Sequence, residues 1–194
     1  MNTEWVRSYL LEISETARRA TEACADEVAA AVELVVNAIL DGGKILICGN
    51  GGSAADSQGL AAEFVSTLTV DHRRPAIPAV ALTTDSSILT AIANDFGFDG
   101  VFARQVEALG RPGDVLIGIS TSGNSPDVLR AFEQAASQGI RTVALTGADG
   151  GALAPLASVA IRVPSSETSH IQEIHLALEH ALAFLVEETL YPRG

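Results

Sequence analysis

The sequence predicts an α/β fold in which five parallel strands form one sheet that helices cover on both faces. Five short apolar runs rich in β-branched residues alternate with helical segments from residue 44 onward, an alternation typical of parallel sheets. A glycine-rich loop follows the first of these runs and a serine-rich loop follows the third. At 194 residues, with no linker or internal repeat, the chain is expected to be one domain.

Residues 1–43 are predicted to form a helical lead-in to an α/β core at 44–194. Apolar residues recur there at helical spacing, and Gly42-Gly43 ends the run. The repeating positions are Val6, Leu10, Ile13, Val28, Val32, Leu34, Val35 and Ile39.

The elements of the core follow from the same patterns. The predicted strands are Ile45–Cys48, Ala79–Thr83, Val115–Ile119, Thr142–Thr146 and Ala160–Val163. The predicted helices are Ala54–Ser66, Ser87–Ala93, Val101–Leu109, Asp127–Gln138 and a long last one near His170–Thr189.

Composition argues against several classes of protein. A net charge of −12 with Lys44 as the one lysine disfavours nucleic-acid binding, and no run approaches the ~18 apolar residues of a membrane span. The N-terminus has no signal-peptide pattern, so we expect a cytoplasmic location. Cys24 and Cys48 are expected to be small core residues without chemistry. The arginine pair in 71–75 is predicted to lie in a solvated loop.

A hydrophobic content of 47% is high for a chain without a membrane span. We therefore expect the helical lead-in and the last helix to bury apolar surface between subunits.

The two loops predict one anionic ligand. Gly51, Gly52 and Ser53 follow the first strand and open a helix, where free N–H groups and the helix dipole favour a phosphate. The second loop carries four hydroxyls in six residues, more than helix capping needs. They belong to Ser120, Thr121, Ser122 and Ser125. Both loops follow strands, and doubly wound sheets bind ligands beyond the carboxyl ends of their strands.

Nucleotide-binding motifs fit this sequence poorly. Gly49-x-Gly51-x-x-Ala54 matches the dinucleotide fingerprint in form, but the acidic residue after the next strand, Asp85, comes much too late. No Gly-Lys-Ser/Thr follows the glycines, so the P-loop motif is missing. No nucleotide cofactor is expected.

Two ionisable residues have open roles at this stage. Glu63, on the helix after the glycine loop, fits either a solvated position or a general base. His180, on the last helix, fits either a core or interface position or a catalytic one. Three further polar residues crowd the same helix, and most of them are expected at the surface or in salt bridges: His175, Glu173 and Glu179.

Several motifs together resemble the phosphoheptose isomerases of the sugar isomerase (SIS) family, over essentially the whole chain. The matching segments are 49–56, 61–63, 92–97, 113–116, 119–125 and 171–175. The resemblance implies a flavodoxin-like three-layer αβα sandwich with an N-terminal helical extension, a single SIS domain at 1–194. It further implies a homotetramer with sites between subunits, and conversion of sedoheptulose 7-phosphate to D-glycero-D-manno-heptose 7-phosphate in heptose biosynthesis.

The resemblance also assigns roles to individual residues. Glu63 and His180 match an acid–base pair, Gln172 matches a residue that joins them around a zinc ion in some members, and Asp95 matches an acidic residue near the substrate. Contacts to phosphate and sugar are implied for Asn50, Ser53, Ser120, Ser122 and Ser125, with Gly51, Gly52 and Thr121 beside them.

Two positions depart from the family pattern. Gly59 stands where the family usually has a histidine that ligates zinc, and Thr67 where it often has arginine. We expect positions 59, 63 and 67 to share one helical stripe, so Glu63 would have lost both functional neighbours. Zinc then has three implied ligands, Glu63, Gln172 and His180, in a site open to water that suits a catalytic metal but binds it less well than four ligands would. The alternative function is a non-catalytic SIS protein that binds phosphosugars, or one that binds the replication initiator as a scaffold.

Overall fold

The computed structural model describes residues 2–193, in which one five-stranded sheet lies between two layers of helices. Every strand pair is parallel, which confirms the predicted sheet. The strands are β1 (Ile45–Gly49), β2 (Ala79–Ala81), β3 (Val115–Ile119), β4 (Arg141–Thr146) and β5 (Val159–Arg162). The ends of the predicted domain, Met1 and Gly194, lie outside the described residues.

Within the described residues, seven α-helices accompany these strands. They are α1 (Thr3–Ala23), α2 (Ala25–Leu40), α3 (Gly52–Val65), α4 (Ser86–Phe96), α5 (Ala103–Leu109), α6 (Pro126–Ser137) and α7 (Thr168–Leu190). None of the helices within residues 2–193 is long and apolar enough to cross a membrane.

The strand order is β2-β1-β3-β4-β5, the flavodoxin-like order. The order reverses between β1 and β3, which are direct neighbours with Cys48 opposite Gly118 and Gly49 opposite Ile119. The loops after these two strands therefore leave the same edge of the sheet side by side. A doubly wound sheet binds its ligands in the crevice at that switch point.

Alternation along β1 divides the core into two layers. Ile45 and Ile47 pack into the cluster under α1, α2, α3 and α7. Leu46 and Cys48 pack into the cluster under α5 and α6. Burial raises the pKa of both cysteine thiols, that of Cys24 to about 11, so both thiols are unreactive core groups at neutral pH.

Some boundaries differ from the predicted ones. The lead-in is two helices that break at the buried Cys24, because α1 must turn there for α2 to pack on the sheet. Helix α3 ends at Val65, so Thr67 lies beyond it and the predicted stripe through 59, 63 and 67 is wrong. Strand β2 is an edge strand and ends at Ala81 rather than Thr83.

Candidate functional site

The glycine loop presents free donors at the start of α3. The amides of Ala54 and Ala55 both donate to the Gly51 carbonyl, at 3.1 and 3.3 Å. Within residues 2–193, the amides of Gly52 and Ser53 and the Ser53 hydroxyl make no recorded hydrogen bond. The first N–H groups of a helix have no intrahelical partner. These donors and the helix dipole together suit an anion.

The hydroxyls of the serine loop after β3 do not cap helix α6. Ser125 occupies the N-cap position of α6, yet its side chain caps no amide. Its Oγ instead lies 2.9 Å from Oγ of Ser120. The Ser122 hydroxyl accepts from the Asn124 amide at 3.1 Å. The capping explanation therefore fails for Ser125, and the hydroxyl cluster remains available to a ligand.

Backbone contacts hold the serine loop in place. Gly123 has φ +64°, and a Cβ there would run into the carbonyl of Gly150 in the loop after β4. The Gly147 amide donates to the Thr121 carbonyl at 3.0 Å. A cleft of about 280 Å³ opens between the serine loop, the loop after β4 and the start of α7, and Thr168 of α7 lines it. A rigid cradle of this kind orients a bound group without reorganisation.

Asn50 joins the two loops. Its Nδ2 donates to both carboxylate oxygens of Asp127, at 2.9 and 2.8 Å, and Asp127 is 2% exposed. Nδ2 is therefore used within the protein, and Oδ1 is the atom left for a ligand. Sequence analysis missed Asp127, because an acidic residue at a helix start signals only a favourable dipole position.

Gln172 lies directly on the glycine loop. A Cβ built on Gly52 would collide with the side-chain amide of Gln172. Helix α7 therefore approaches the start of α3 as closely as a glycine permits. The structure thus brings Gln172 to the glycine loop, while its roles toward substrate and zinc stay predictions.

Three further predicted site residues make no hydrogen bond or ion pair with one another within residues 2–193: Glu63, His180 and Asp95. Glu63 is half-buried in the last turn of α3, and no recorded hydrogen bond or ion pair links it to His180 within residues 2–193. His180 is exposed on α7, flanked one turn away by Leu176 and Phe184, which are 43% and 40% exposed. Asp95 is exposed near the end of α4 and accepts from Asn94 at 2.7 Å.

A buried acidic pair lies between α3 and α7. Glu179 is 2% exposed and neither of its oxygens has a recorded partner. Burial, with a smaller contribution from the charge of Asp56, raises the pKa of Glu179 to about 8, and burial raises the pKa of Asp56 as well. Burial also lowers the pKa of His175 to about 4, so its ring is neutral. The expectation that Glu179 and His175 are surface groups is wrong, because α7 is covered by α3 and the sheet there.

The donor set for zinc is incomplete in one subunit. Among residues 2–193, no three His, Cys, Asp or Glu side chains are grouped closely enough to hold a metal ion. Glu63, Gln172 and His180 offer one carboxylate, one amide and one imidazole, and Gly59 offers nothing. An amide is a poor zinc ligand beside Cys, His and carboxylate. The residues of the isolated subunit therefore do not form a four-ligand zinc site, and the three-ligand site open to water stays a prediction for the assembly.

The end of α3 is held by a buried ion pair that sequence analysis did not find. Arg74 and Glu187 have side chains 1% exposed, with Nε 2.8 Å from Oε2. The prediction that the arginine pair is solvated is therefore wrong for Arg74, whose side chain is buried, whereas Arg73 is exposed. Thr67 also contacts Glu187, with Oγ1 3.4 Å from Oε2.

Comparison with known proteins identifies relatives that cover nearly the whole chain. The SIS domain model matches residues 8–147. The phosphoheptose isomerase of Roseiflexus sp. (strain RS-1) is 50% identical over 189 residues, 97% of this chain and 95% of that protein. The one from Shewanella sp. (strain W3-18-1) is 48% identical over 193 residues, 98% of this chain and 97% of that protein.

Solved structures agree with these relatives. The phosphoheptose isomerase of Neisseria gonorrhoeae superimposes with a TM-score of 0.91 at 43% identity, covering 97% of this chain and all of that one. The Francisella tularensis enzyme superimposes with a TM-score of 0.93 at 34% identity, covering 97% of this chain and 99% of that one. The match extends to the N-terminal helices as well as the sheet.

Proposed function

The chain belongs to the phosphoheptose isomerases of the SIS domain family, and we propose that it converts sedoheptulose 7-phosphate to D-glycero-D-manno-heptose 7-phosphate. The observation that carries the proposal is the pair of joined loops at the β1/β3 switch point, whose free amides and hydroxyls suit one anionic group. Relatives with near-complete coverage support the seven-carbon substrate. Nothing in the structure favours the scaffold alternative.

We propose that the phosphate binds across both loops. The free amides of Gly52 and Ser53 would donate from one side. From the other side the Ser122 hydroxyl would donate, together with the Ser120–Ser125 pair, in which one hydroxyl donates to the other and the second donates to the phosphate. Because the protein carries a net charge of −12, amides, hydroxyls and the two helix starts have to supply most of the attraction. Oδ1 of Asn50 and the amide of Gln172 would contact the sugar.

The reaction moves a proton between adjacent carbons through an enediol. We assign Glu63 as the base that takes the proton from C1 of the ketose and returns it to C2 of the aldose. His180 would exchange protons with the oxygens, so that the hydroxyl and carbonyl trade places. No step is assigned to zinc, and its binding by an assembly is a prediction to be measured.

The site is proposed to be completed between subunits of a homotetramer. His180 lies on an exposed apolar face of α7 with Leu176 and Phe184, and α1 exposes further apolar side chains: Trp5, Val6, Leu10 and Leu11. Exposed apolar patches of this kind are commonly buried between copies of the same chain. A neighbouring subunit would thereby cover His180 and supply what one subunit lacks.

The proposed location is the cytoplasm, and neither nucleic acid nor a membrane is a proposed partner. Two buried, unpaired cysteines are ordinary for a protein in a reducing compartment. The acidic surface suits neither DNA nor an anionic bilayer.

Incubation with sedoheptulose 7-phosphate tests the proposal. We expect the aldose to appear with the purified protein, with and without added zinc, and not with unphosphorylated sedoheptulose as the control. Binding of sedoheptulose 7-phosphate without turnover would favour the non-catalytic alternative instead.

A further inference from the structure

The carboxyl end of α3 is held from outside by one side chain, that of Arg74. Its Nη2 donates to the Glu63 carbonyl at 2.7 Å, and its Nη1 donates to the Phe64 carbonyl at 2.8 Å. These carbonyls belong to the last turn of a helix, where intrahelical donors run out. A cation there also interacts favourably with the helix dipole. Arg74 therefore fixes the backbone of Glu63 itself.

Arg74 is in turn fixed by Glu187. The Arg74 Nε lies 2.8 Å from Oε2 of Glu187, and both side chains are 1% exposed. The same carboxylate oxygen lies 3.4 Å from the amide of Leu68, just past the end of α3. Helix α7, which carries Glu187, therefore anchors the guanidinium that holds α3. The loop that supplies Arg74 bonds back to the same turn, because the Ile77 amide donates to the Phe64 carbonyl at 3.0 Å.

The bonding at Arg74 uses the fork geometry of a guanidinium. Two N–H groups reach two successive carbonyls while the third binds a carboxylate, an arrangement that the single ammonium of lysine cannot reproduce. The guanidinium is buried and cannot touch a substrate. An effect of Arg74 on kcat per intact site would therefore be indirect, through the last turn of α3 that carries Glu63.

We propose that Arg74, anchored by Glu187, is a positioning residue that sets the place of Glu63 for proton transfer. This inference rests on the proposed function, in which Glu63 is the base. Proton transfer depends on a donor–acceptor distance within hydrogen-bond reach, and a displacement of 1 Å can cost about 100-fold in rate. Phosphate binding occurs at the other end of α3 and should be indifferent to Arg74.

The test compares Arg74→Lys with Arg73→Lys, the same substitution at the exposed neighbouring residue. We expect Arg74→Lys to lower kcat by about 10- to 100-fold while KM stays within about 2-fold of the unmodified protein. Arg73→Lys should match the unmodified protein. Circular dichroism checks the fold, and calorimetric titration with inorganic phosphate counts intact sites.

A purely structural role predicts a different pattern. Loss of stability alone would lower the number of phosphate-binding sites and leave kcat per intact site unchanged, which would overturn the inference. A higher KM at unchanged kcat would overturn it too. If Arg74→Lys does not fold, the kcat of Glu187→Gln is measured instead. The glutamine oxygen can still accept a hydrogen bond from Arg74, but the ion pair is lost. The kcat of Glu187→Gln per intact site should fall below that of Arg73→Lys, and equality would contradict the proposal.

The two proposals fail in distinguishable ways. An unmodified protein that binds sedoheptulose 7-phosphate without turning it over would remove the proposed function, and the role of Arg74 with it. An active protein whose Arg74→Lys and Glu187→Gln variants turn over at the same rate per intact site would remove the positioning role alone.

Discussion

Glu179 should make the protein less stable as the pH rises from about 4.5 to 8. Its pKa is about 8 in the folded protein and 4.5 in the reference state, so the folded protein binds this proton more tightly than the unfolded chain. Unfolding therefore releases the proton between these two pH values, and stability falls as the pH rises. At 1.36 kcal/mol per pKa unit, the loss is about 3 kcal/mol by pH 7 and about 5 kcal/mol above pH 8.

The perturbation is Glu179→Leu, which removes the carboxyl and fills much the same volume. Both Glu179 oxygens lack a recorded partner, so no hydrogen bond is lost. We expect the variant to gain about 3 kcal/mol in free energy of unfolding at pH 7 and little at pH 4.5. The charge of Asp56 on α3 contributes to the raised pKa of Glu179, so its relief is already included in this figure.

Urea unfolding at a fixed protein concentration, at several pH values from 4.5 to 8.5, measures this difference. Glu133→Leu, the same substitution at an exposed position of α6, is the control and should stay within about 0.5 kcal/mol of the unmodified protein. A difference between Glu179→Leu and the unmodified protein that does not change with pH would refute the reasoning. A destabilised Glu179→Leu would refute it as well.

Three further predictions concern the site and the assembly. Ser120→Ala combined with Ser122→Ala should weaken phosphate-ester binding by about 100-fold or more, since each hydrogen bond to a charged group is worth about 1.5–3 kcal/mol; unchanged affinity by calorimetry would contradict the two-loop site. Light scattering should give a mass near four times 20.1 kDa, and a monomer would remove the intersubunit site. Gly59→His should fold, because a Cβ at Gly59 meets nothing within 4 Å, and should raise zinc affinity; full zinc occupancy before the substitution, unchanged after it, would show that the ligands are misassigned.

The sheet and the two loops could be predicted because their signals are local. Each strand is a short apolar run bounded by polar turns, and burial on both faces leaves such runs nearly free of polar residues. The glycine and serine loops follow directly from strands that the structure places side by side. Local sequence was therefore enough to predict the strands and the two loops at which we propose that the ligand binds.

The contacts that tune the site could not be predicted, because they join distant parts of the chain. Arg74 and Glu187 are 113 residues apart in sequence, and the charged stretch around Arg74 has the composition of a solvated loop. Glu179 is followed by the exposed His180 on the same helix, and only the packing of α3 distinguishes the two positions. The end of α3 before Thr67 coincides with the bonds of Arg74 to the last carbonyls of the helix, contacts that the local sequence does not signal.

The rate of aldose formation by Glu63→Gln tests the central claim most directly. With sedoheptulose 7-phosphate at saturation, we expect the unmodified protein to form the mannoheptose 7-phosphate. Glu63→Gln should form none above background while binding phosphate normally, because the amide cannot accept the carbon-bound proton. Glu133→Gln, at the exposed position on α6, should be as active as the unmodified protein. Turnover that survives Glu63→Gln would contradict the assignment of Glu63 as the base.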